Sequence, residues 1–313
     1  MQIALLFSGQ GAQVVGMGQD LAAEFAGAAE LFDRADEVLG RKLSEVAWNG
    51  PLEELTQTAN CQPALYVHGL AAWRALREQV GDLSVTAAAG LSLGEWTAHA
   101  AAGTFSFEDG LRLVEKRGAF MQAACDATDG AMAALIGGDE SAARQLAADT
   151  DVDVANLNSP GQIVISGERA KVELAIGLAK EHAIRRATLL NVAGAYHSRL
   201  MDSAYLKVGE ALLEVQLRSP SFHVLSNVTG DIIETLPEIR RTLQDQVTGT
   251  VRWIDCMERM LAMGCDLFLE LGPGGVLAGL LQRTRKGTEV LSVSDMPSLQ
   301  KAVDRLKGAG VSV

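Results

Sequence analysis

Val85-Thr86-Ala87-Ala88-Ala89-Gly90-Leu91-Ser92-Leu93-Gly94-Glu95, running on to Ala102-Gly103, holds three local signals in one short stretch. Residues 85–89 are small and mostly apolar and predict a buried strand, Gly90 to Gly94 form a tight turn, and 95–102 predict a helix that Gly103 stops. A strand fed by a sharp turn into a helix is the unit from which helix-covered parallel sheets are built. The same alternation recurs outward from it. Residues 3–7 are an apolar run ending at Ser8-Gly9 and predict another buried strand. Leu31, Phe32, Ala35, Val38 and Leu39 recur at helical spacing, with Gly40 placed to cap the C-terminus. Late in the chain, 267–269 predict a strand, Gly272-Pro273-Gly274-Gly275 a loop, 276–281 a helix and 290–293 a strand. A final helix carries Leu299, Ala302, Val303 and Leu306 on one face.

The middle of the chain has a different order. A strand over 131–136, a helix near 141–148, strands over 152–155 and 163–166, a helix over 170–182 and a strand around 187–191 give β-α-β-β-α-β. That order is the split-βαβ, ferredoxin-like signature and predicts an inserted subdomain. No repeat and no low-complexity tract interrupts the pattern.

Composition narrows the function classes. A chain of 313 residues suggests about two domains, or one large domain with an insertion. With 48% hydrophobic and 21% charged residues it is globular rather than disordered. The formal net charge of −12 argues against a general nucleic-acid or anionic-membrane binder, so an acidic partner needs a local basic patch. Arg185-Arg186, Arg240-Arg241, and Arg283, Arg285 and Lys286 are the candidate patches. The first residues lack a basic segment and a long apolar run, which predicts no signal peptide or membrane span and a cytoplasmic protein. Cys61, Cys125, Cys256 and Cys265 lie far apart without C-x-x-C spacing, which disfavours a zinc or redox site. No metal site is expected.

Gly90-Leu91-Ser92-Leu93-Gly94 matches G-x-S-x-G in the strand-to-helix context that a nucleophile elbow requires. Small flanking residues let neighbouring backbone approach, and the turn sets the hydroxyl at a helix N-terminus, where free N–H groups can stabilise an oxyanion. The competing reading is a glycine-rich turn whose serine only caps the helix. A serine hydroxyl needs a base, for which histidine is the usual choice. His68 and His99 lie inside helical apolar patterns, His182 near a helix end and His223 in a strand. His197, in Gly194-Ala195-Tyr196-His197-Ser198, lies in a loop leaving the inserted segment, a favoured place for a catalytic group. Gly9-Gln10-Gly11-Ala12-Gln13 lacks the third glycine of a dinucleotide fingerprint, because position 14 is Val14. Its better use is a loose loop aiming backbone N–H groups into a pocket. Gly272-Pro273-Gly274-Gly275 lacks the Lys-Ser/Thr ending of a phosphate loop and is read as a turn.

Taken in order, Phe7-Ser8-Gly9-Gln10-Gly11-Ala12-Gln13, Gln62-Pro63-Ala64, the elbow with Glu95, Arg117-Gly118, Asn158-Ser159-Pro160-Gly161-Gln162, the His197 segment, Gln246 ahead of Val251-Arg252-Trp253, and Glu270-Leu271-Gly272-Pro273-Gly274 span nearly the whole chain. This set resembles the malonyl-CoA:acyl carrier protein transacylase family of fatty-acid and polyketide synthesis. The resemblance implies an α/β fold in which an α/β-hydrolase-like large domain, 1–128 with 194–313, is interrupted by a ferredoxin-like subdomain, 129–193. It implies a ping-pong transfer in which Ser92 attacks malonyl-CoA and the phosphopantetheine thiol of acyl carrier protein then takes the malonyl group, without a separate cofactor. By the same resemblance His197 is the general base, oriented by the backbone carbonyl of Gln246. The N–H groups of Gln10 and Leu93 form the oxyanion hole, Gln62 and Tyr196 line the pocket, and Arg117 holds the free malonyl carboxylate. The plain alternative for Arg117 is a helix-surface arginine beside Lys116. Leu91 stands where the family usually has His, Trp96 where Tyr is frequent, Tyr196 where Phe is frequent and Thr250 where Pro is frequent.

Three other functions use or retain such an elbow. A serine esterase or thioesterase would take water as acceptor, although α/β-hydrolases place their His late in the chain, whereas a long segment follows His197. The transferase subunit of a malonate decarboxylase shares the chemistry, and a scaffolding subunit could keep a degenerate site.

Overall fold

Strand β1 (Ile3–Phe7) is apolar and buried at every position because different helices cover its two faces. Ile3, Leu5 and Phe7 join a core with the helices Ala26–Leu39, Thr58–Val80, Leu93–Ala101, Phe107–Asp126 and Met296–Gly308. Ala4 and Leu6 point the other way, into a second core built on the helices Trp253–Ala262 and Val276–Thr284. The two-residue period of a strand thus separates the layers of a helix–sheet–helix sandwich.

The computed structural model describes residues 1–309. The remaining strands are β2 (Val85–Gly90), β3 (Gly130–Ile136), β4 (Asp153–Ser159), β5 (Gln162–Glu168), β6 (Arg186–Leu189), β7 (His223–Val224), β8 (Leu267–Leu271) and β9 (Glu289–Val293). One sheet has the order β7-β2-β1-β8-β9 and is parallel throughout. Phe7 is in register with Gly90 on one side and Leu271 on the other, so three strands end at one level. The loops beginning at Ser8, Leu91 and Gly272 therefore emerge side by side, at the carboxyl edge where open parallel sheets bind ligands.

The second sheet, β4-β5-β3-β6, is antiparallel and has its own apolar core. Its element order is β-α-β-β-α-β, with the helices Glu140–Thr150 and Arg169–Leu178. The second of these helices is shorter than the 170–182 expected, since the chain leaves it in turns that reach Ala183 at φ 58. The edge of this sheet is tied to the main body. Leu157 N–H donates to the Val251 carbonyl and Val251 N–H to that of Ala155, both at 2.8 Å. That tie carries Asn156 and Asn158 over the carboxyl edge of the parallel sheet.

The Thr58–Val80 helix carries Pro63 inside it. Proline cannot donate to the carbonyl four residues back, that of Ala59. The Arg41 guanidinium takes that place at 3.2 Å. No helix among the described residues is long and apolar enough to cross a membrane.

Candidate active site

Strand β2 runs through Gly90, and the next helix begins at Leu93, so the turn between them is only Leu91 and Ser92. Ser92 takes φ 54 and ψ −105, a conformation that L-residues avoid. The residues two positions to either side must be glycine: a Cβ on Gly90 would lie 1.9 Å from the Gly94 carbonyl carbon, and one on Gly94 would lie 2.0 Å from the Phe7 oxygen. The flanking residues of the motif are thus fixed by backbone contact rather than by chemistry.

His197 lies against this turn. Its Nε2 is 2.8 Å from Ser92 Oγ, and its Nδ1 is 2.8 Å from the Gln246 backbone carbonyl. A carbonyl only accepts, so Nδ1 carries the proton and Nε2 is left to accept from the serine hydroxyl. Burial, and then the Arg117 charge, pull the imidazole down to about 4, so it stays a neutral base at neutral pH. The orienting group is a carbonyl rather than a carboxylate.

Arg117 is 1% exposed, on the inward face of the Phe107–Asp126 helix, which rules out the surface-arginine alternative. Its Nη2 donates to Ser92 Oγ and to Gln246 Oε1, both at 3.0 Å, and its Nη1 to Gln62 Oε1 at 2.5 Å. Burial lowers it to about 10, which leaves it charged at neutral pH. Gln62 lines the same cavity. Tyr196 bonds to Thr58 Oγ1 at 2.7 Å, and burial pushes its phenol up to about 12, so it is present as a neutral hydroxyl. The Gln10 side chain reaches the same pair at 3.2 and 3.4 Å. The backbone N–H groups of Gln10 and Leu93 have no hydrogen-bond partner among the described residues and border the same pocket as Ser92.

These groups line a cavity of about 470 Å³ between the two sheets. Its outer wall includes Asn156, Asn158 and Gln162 from the antiparallel sheet, and Val276 and Leu280 from the Val276–Thr284 helix. Leu91 makes part of the wall apolar. Of the basic clusters, only the third adjoins this cavity, through Arg283 Nη1 donating to Gln162 Oε1 at 2.7 Å. Arg241 is paired with Asp245, and Arg240 donates to the Val215 carbonyl.

Beneath the elbow is a cluster that sequence reasoning did not single out. Asn227 Oδ1 accepts the Ser92 N–H at 2.7 Å, and its Nδ2 donates to the Gly90 carbonyl at 2.9 Å. The Gln246 side chain, not only its backbone, belongs to the site. Its Nε2 donates to the Ser92 carbonyl at 2.8 Å and to Glu95 Oε2 at 2.6 Å, and its Oε1 also accepts from Trp96 Nε1 at 3.0 Å. Glu95 is fully buried, and burial holds its carboxyl up at about 7 despite these hydrogen bonds. A lone carboxylate in the apolar run 93–98 was the one sequence signal for this cluster.

The other candidates fall elsewhere. His68 and His99 are buried and bond to the Ser294 carbonyl and Thr104 respectively, His182 faces Asp149, and His223 is exposed at the far end of the sheet. The loop at Gly272–Gly275 precedes a helix in whose first turn the N–H groups of Leu277 and Ala278 already donate to Glu270. The protein's own carboxylate occupies the position a phosphate would take. All four cysteines are buried and free. Among the described residues no group of three or more His, Cys, Asp or Glu is placed to hold a metal.

Comparison with known proteins places this geometry in context. The family model described as "Acyl transferase domain" matches residues 4–309. The malonyl CoA-acyl carrier protein transacylase of Bacillus subtilis is 41% identical over 314 residues, covering 98% of each chain. The crystal structure of an acyl-carrier-protein S-malonyltransferase from Bartonella henselae superimposes with a TM-score of 0.93 at 39% identity, over 98% of this chain and 100% of that one. A structure of a type II polyketide acyl-carrier protein in complex with its malonyl-transacylase matches with a TM-score of 0.92 at 37% identity, over 97% of this chain and 100% of that one.

Proposed function

The chain belongs to the acyl transferase domain family, and on that premise we propose that it moves a malonyl group from malonyl-CoA to the phosphopantetheine thiol of acyl carrier protein. The observation that carries the proposal is the shared contact at Ser92 Oγ, which meets a neutral imidazole nitrogen at 2.8 Å and a buried guanidinium at 3.0 Å. A nucleophile, its base and a carboxylate receptor thus stand within the length of one dicarboxylic acyl group.

Ser92 Oγ attacks the thioester carbonyl as its proton passes to His197 Nε2, and the Gln246 carbonyl steadies the imidazolium through Nδ1. The N–H groups of Gln10 and Leu93 receive the oxyanion, and the helix beginning at Leu93 adds its dipole. Collapse of the tetrahedral intermediate breaks the C–S bond, and the proton returns to the CoA sulfur. The carrier thiol then repeats the sequence in reverse on the acyl-enzyme. Arg117 gives up contacts to neutral oxygens for the malonyl carboxylate, which its planar fork can bind in a bidentate way. Both thioesters are substrates, and no cofactor is required.

We read the architecture as an α/β-hydrolase-like body, 1–128 with 194–313, holding a ferredoxin-like insert, 129–193. The elbow after β2 and the antiparallel order β4-β5-β3-β6 support this. The carrier would dock on the side of Arg283, Arg285 and Lys286, and a cytoplasmic setting in fatty-acid or polyketide synthesis fits these substrates. The test is to mix the protein with malonyl-CoA and follow CoA release and intact mass. One equivalent of CoA, a malonyl adduct on Ser92 and discharge on adding holo carrier protein are expected. Continuous CoA release without carrier would mean hydrolysis, and absence of an adduct would mean a non-catalytic chain.

A further inference from the structure

Arg117 and Glu95 are charged residues buried together at the base of the site, 1% and 0% exposed. Neither touches the other. Among the described residues the guanidinium donates only to neutral oxygens, those of Gln62, Ser92 and Gln246, and its Nε has no partner. Among the described residues Glu95 accepts through Oε2 alone, from Gln246 Nε2 and from the Asn227 N–H at 3.0 Å, while Oε1 is buried without a partner.

A single amide joins the two charges. Gln246 turns its oxygen to the guanidinium and its nitrogen to the carboxylate, the orientation that a cation on one side and an anion on the other impose. Beside Glu95 stand the Ser226 hydroxyl and the Cys256 thiol of the Trp253–Ala262 helix, and burial drives that thiol well up, so it is uncharged. His197 and Tyr196, on the pocket side of Arg117, are neutral too. With no substrate carboxylate present, Glu95 is the counter-charge that acts on Arg117.

We propose that Glu95 balances Arg117 in the empty site and takes a proton from solvent onto Oε1 when a substrate carboxylate reaches the guanidinium. Dicarboxylic acyl groups then bind with proton uptake, and monocarboxylic ones do not. Two carboxylates cannot both stay ionised cheaply around one buried cation. The bound acyl carboxylate sits directly on the guanidinium, so Glu95, one amide away, is the one to be neutralised. Its carboxyl already lies at about 7 with one negative charge in the cluster, and a second pushes it higher. The step changes no covalent bond beyond the new O–H. It rests on the proposed placement of the malonyl carboxylate at Arg117.

The experiment is calorimetric titration of malonyl-CoA and acetyl-CoA into the Ser92→Ala protein, which cannot be acylated, at about pH 8 in phosphate and in Tris, whose protonation enthalpies differ. Uptake approaching one proton per malonyl-CoA and near zero for acetyl-CoA is expected. Ser92→Ala with Glu95→Gln should bind malonyl-CoA with near-zero uptake, because glutamine keeps an acceptor for Asn227 and Gln246 but cannot titrate. Equal uptake in the single and double variants would move the proton to His197 and overturn the proposal. Preferential malonyl-CoA binding without uptake would overturn it while leaving the role of Arg117 intact. Equal affinity for the two thioesters would remove both.

Discussion

Replacing Arg117 with alanine separates the recognition of a carboxylate from everything else the residue does. The guanidinium is 1% exposed and meets Gln62, Gln246 and Ser92 Oγ, so its removal strands the Gln62 oxygen, leaves the Gln246 oxygen to Trp96 Nε1 and strips a donor from Ser92 Oγ. Those losses fall on every acyl substrate alike. Only a dicarboxylic one also loses a buried ion pair, which costs about 2 to 5 kcal/mol, or roughly 30-fold to several thousandfold in rate. The quantity to measure is therefore the ratio of kcat/KM for malonyl-CoA to that for acetyl-CoA, with holo carrier protein as acceptor. Arg117→Ala should lower that ratio by at least about 30-fold, and acetyl transfer, freed from a desolvated cation, should hold or improve relative to malonyl transfer. Arg117→Lys should fall between, since a point charge cannot serve the Gln62 and Gln246 oxygens and a carboxylate as a planar fork does. If malonyl and acetyl transfer fall in equal proportion, Arg117 is a structural residue and the account of selectivity is wrong.

Four further outcomes follow from the same geometry. Ser92→Ala and His197→Ala should each cost at least about 10³-fold in kcat and the double variant little more, whereas additive losses would show that the pair does not act as a unit. Because His197 lies at about 4, single-turnover CoA release should stay high as pH falls and drop only through that value. A midpoint near the ordinary 6.5 would contradict the burial argument. Gln246→Leu keeps the backbone carbonyl on His197 Nδ1 but removes bonds to Arg117, Glu95 and the Ser92 carbonyl, so malonyl transfer should fall about 10- to 100-fold, well short of His197→Ala. Between about 4.5 and 7 folded Glu95 keeps a proton that the unfolded chain has lost, so the wild type should lose roughly 3 kcal/mol relative to Glu95→Gln as pH rises through that window. Parallel pH–Tm curves for the two proteins would mean that Glu95 ionises normally.

What could be seen in the sequence was local. The turn at Ser92 announces itself because Gly90 and Gly94 are demanded by contacts within or beside the turn, and β1 because its five residues are all apolar. The Thr58–Val80 helix supplies Thr58 and Gln62 to the site, yet it is buried on nearly every side and so lacks the one-sided apolar stripe that periodicity detects. Asn227 follows a two-residue strand and bonds to Ser92 across 135 positions of chain. A side-chain bond to a distant backbone leaves no local pattern. Gln246 was accessible only through the family resemblance, and only as a carbonyl.

Asn227 and the Gln246 side chain, neither of them visible in the sequence, make the visible residues possible. Ser92 at φ 54 and His197 at φ 55 are non-glycine residues in left-handed backbone, a conformation that costs of order 1 to 3 kcal/mol each unless the surroundings determine it. Asn227 grips the Ser92 N–H, and the Gln246 amide grips its carbonyl, so both polar backbone groups of the strained residue are occupied. The backbone carbonyl of that same Gln246 holds the His197 ring. One residue at the end of the Leu236–Asp245 helix therefore holds both Ser92 and His197, which lie 105 positions apart. The 2.8 Å contact between them is set less by either residue than by the buried amide between their loops. Strain that would otherwise relax by opening the turn is held by hydrogen bonds to groups that water does not reach.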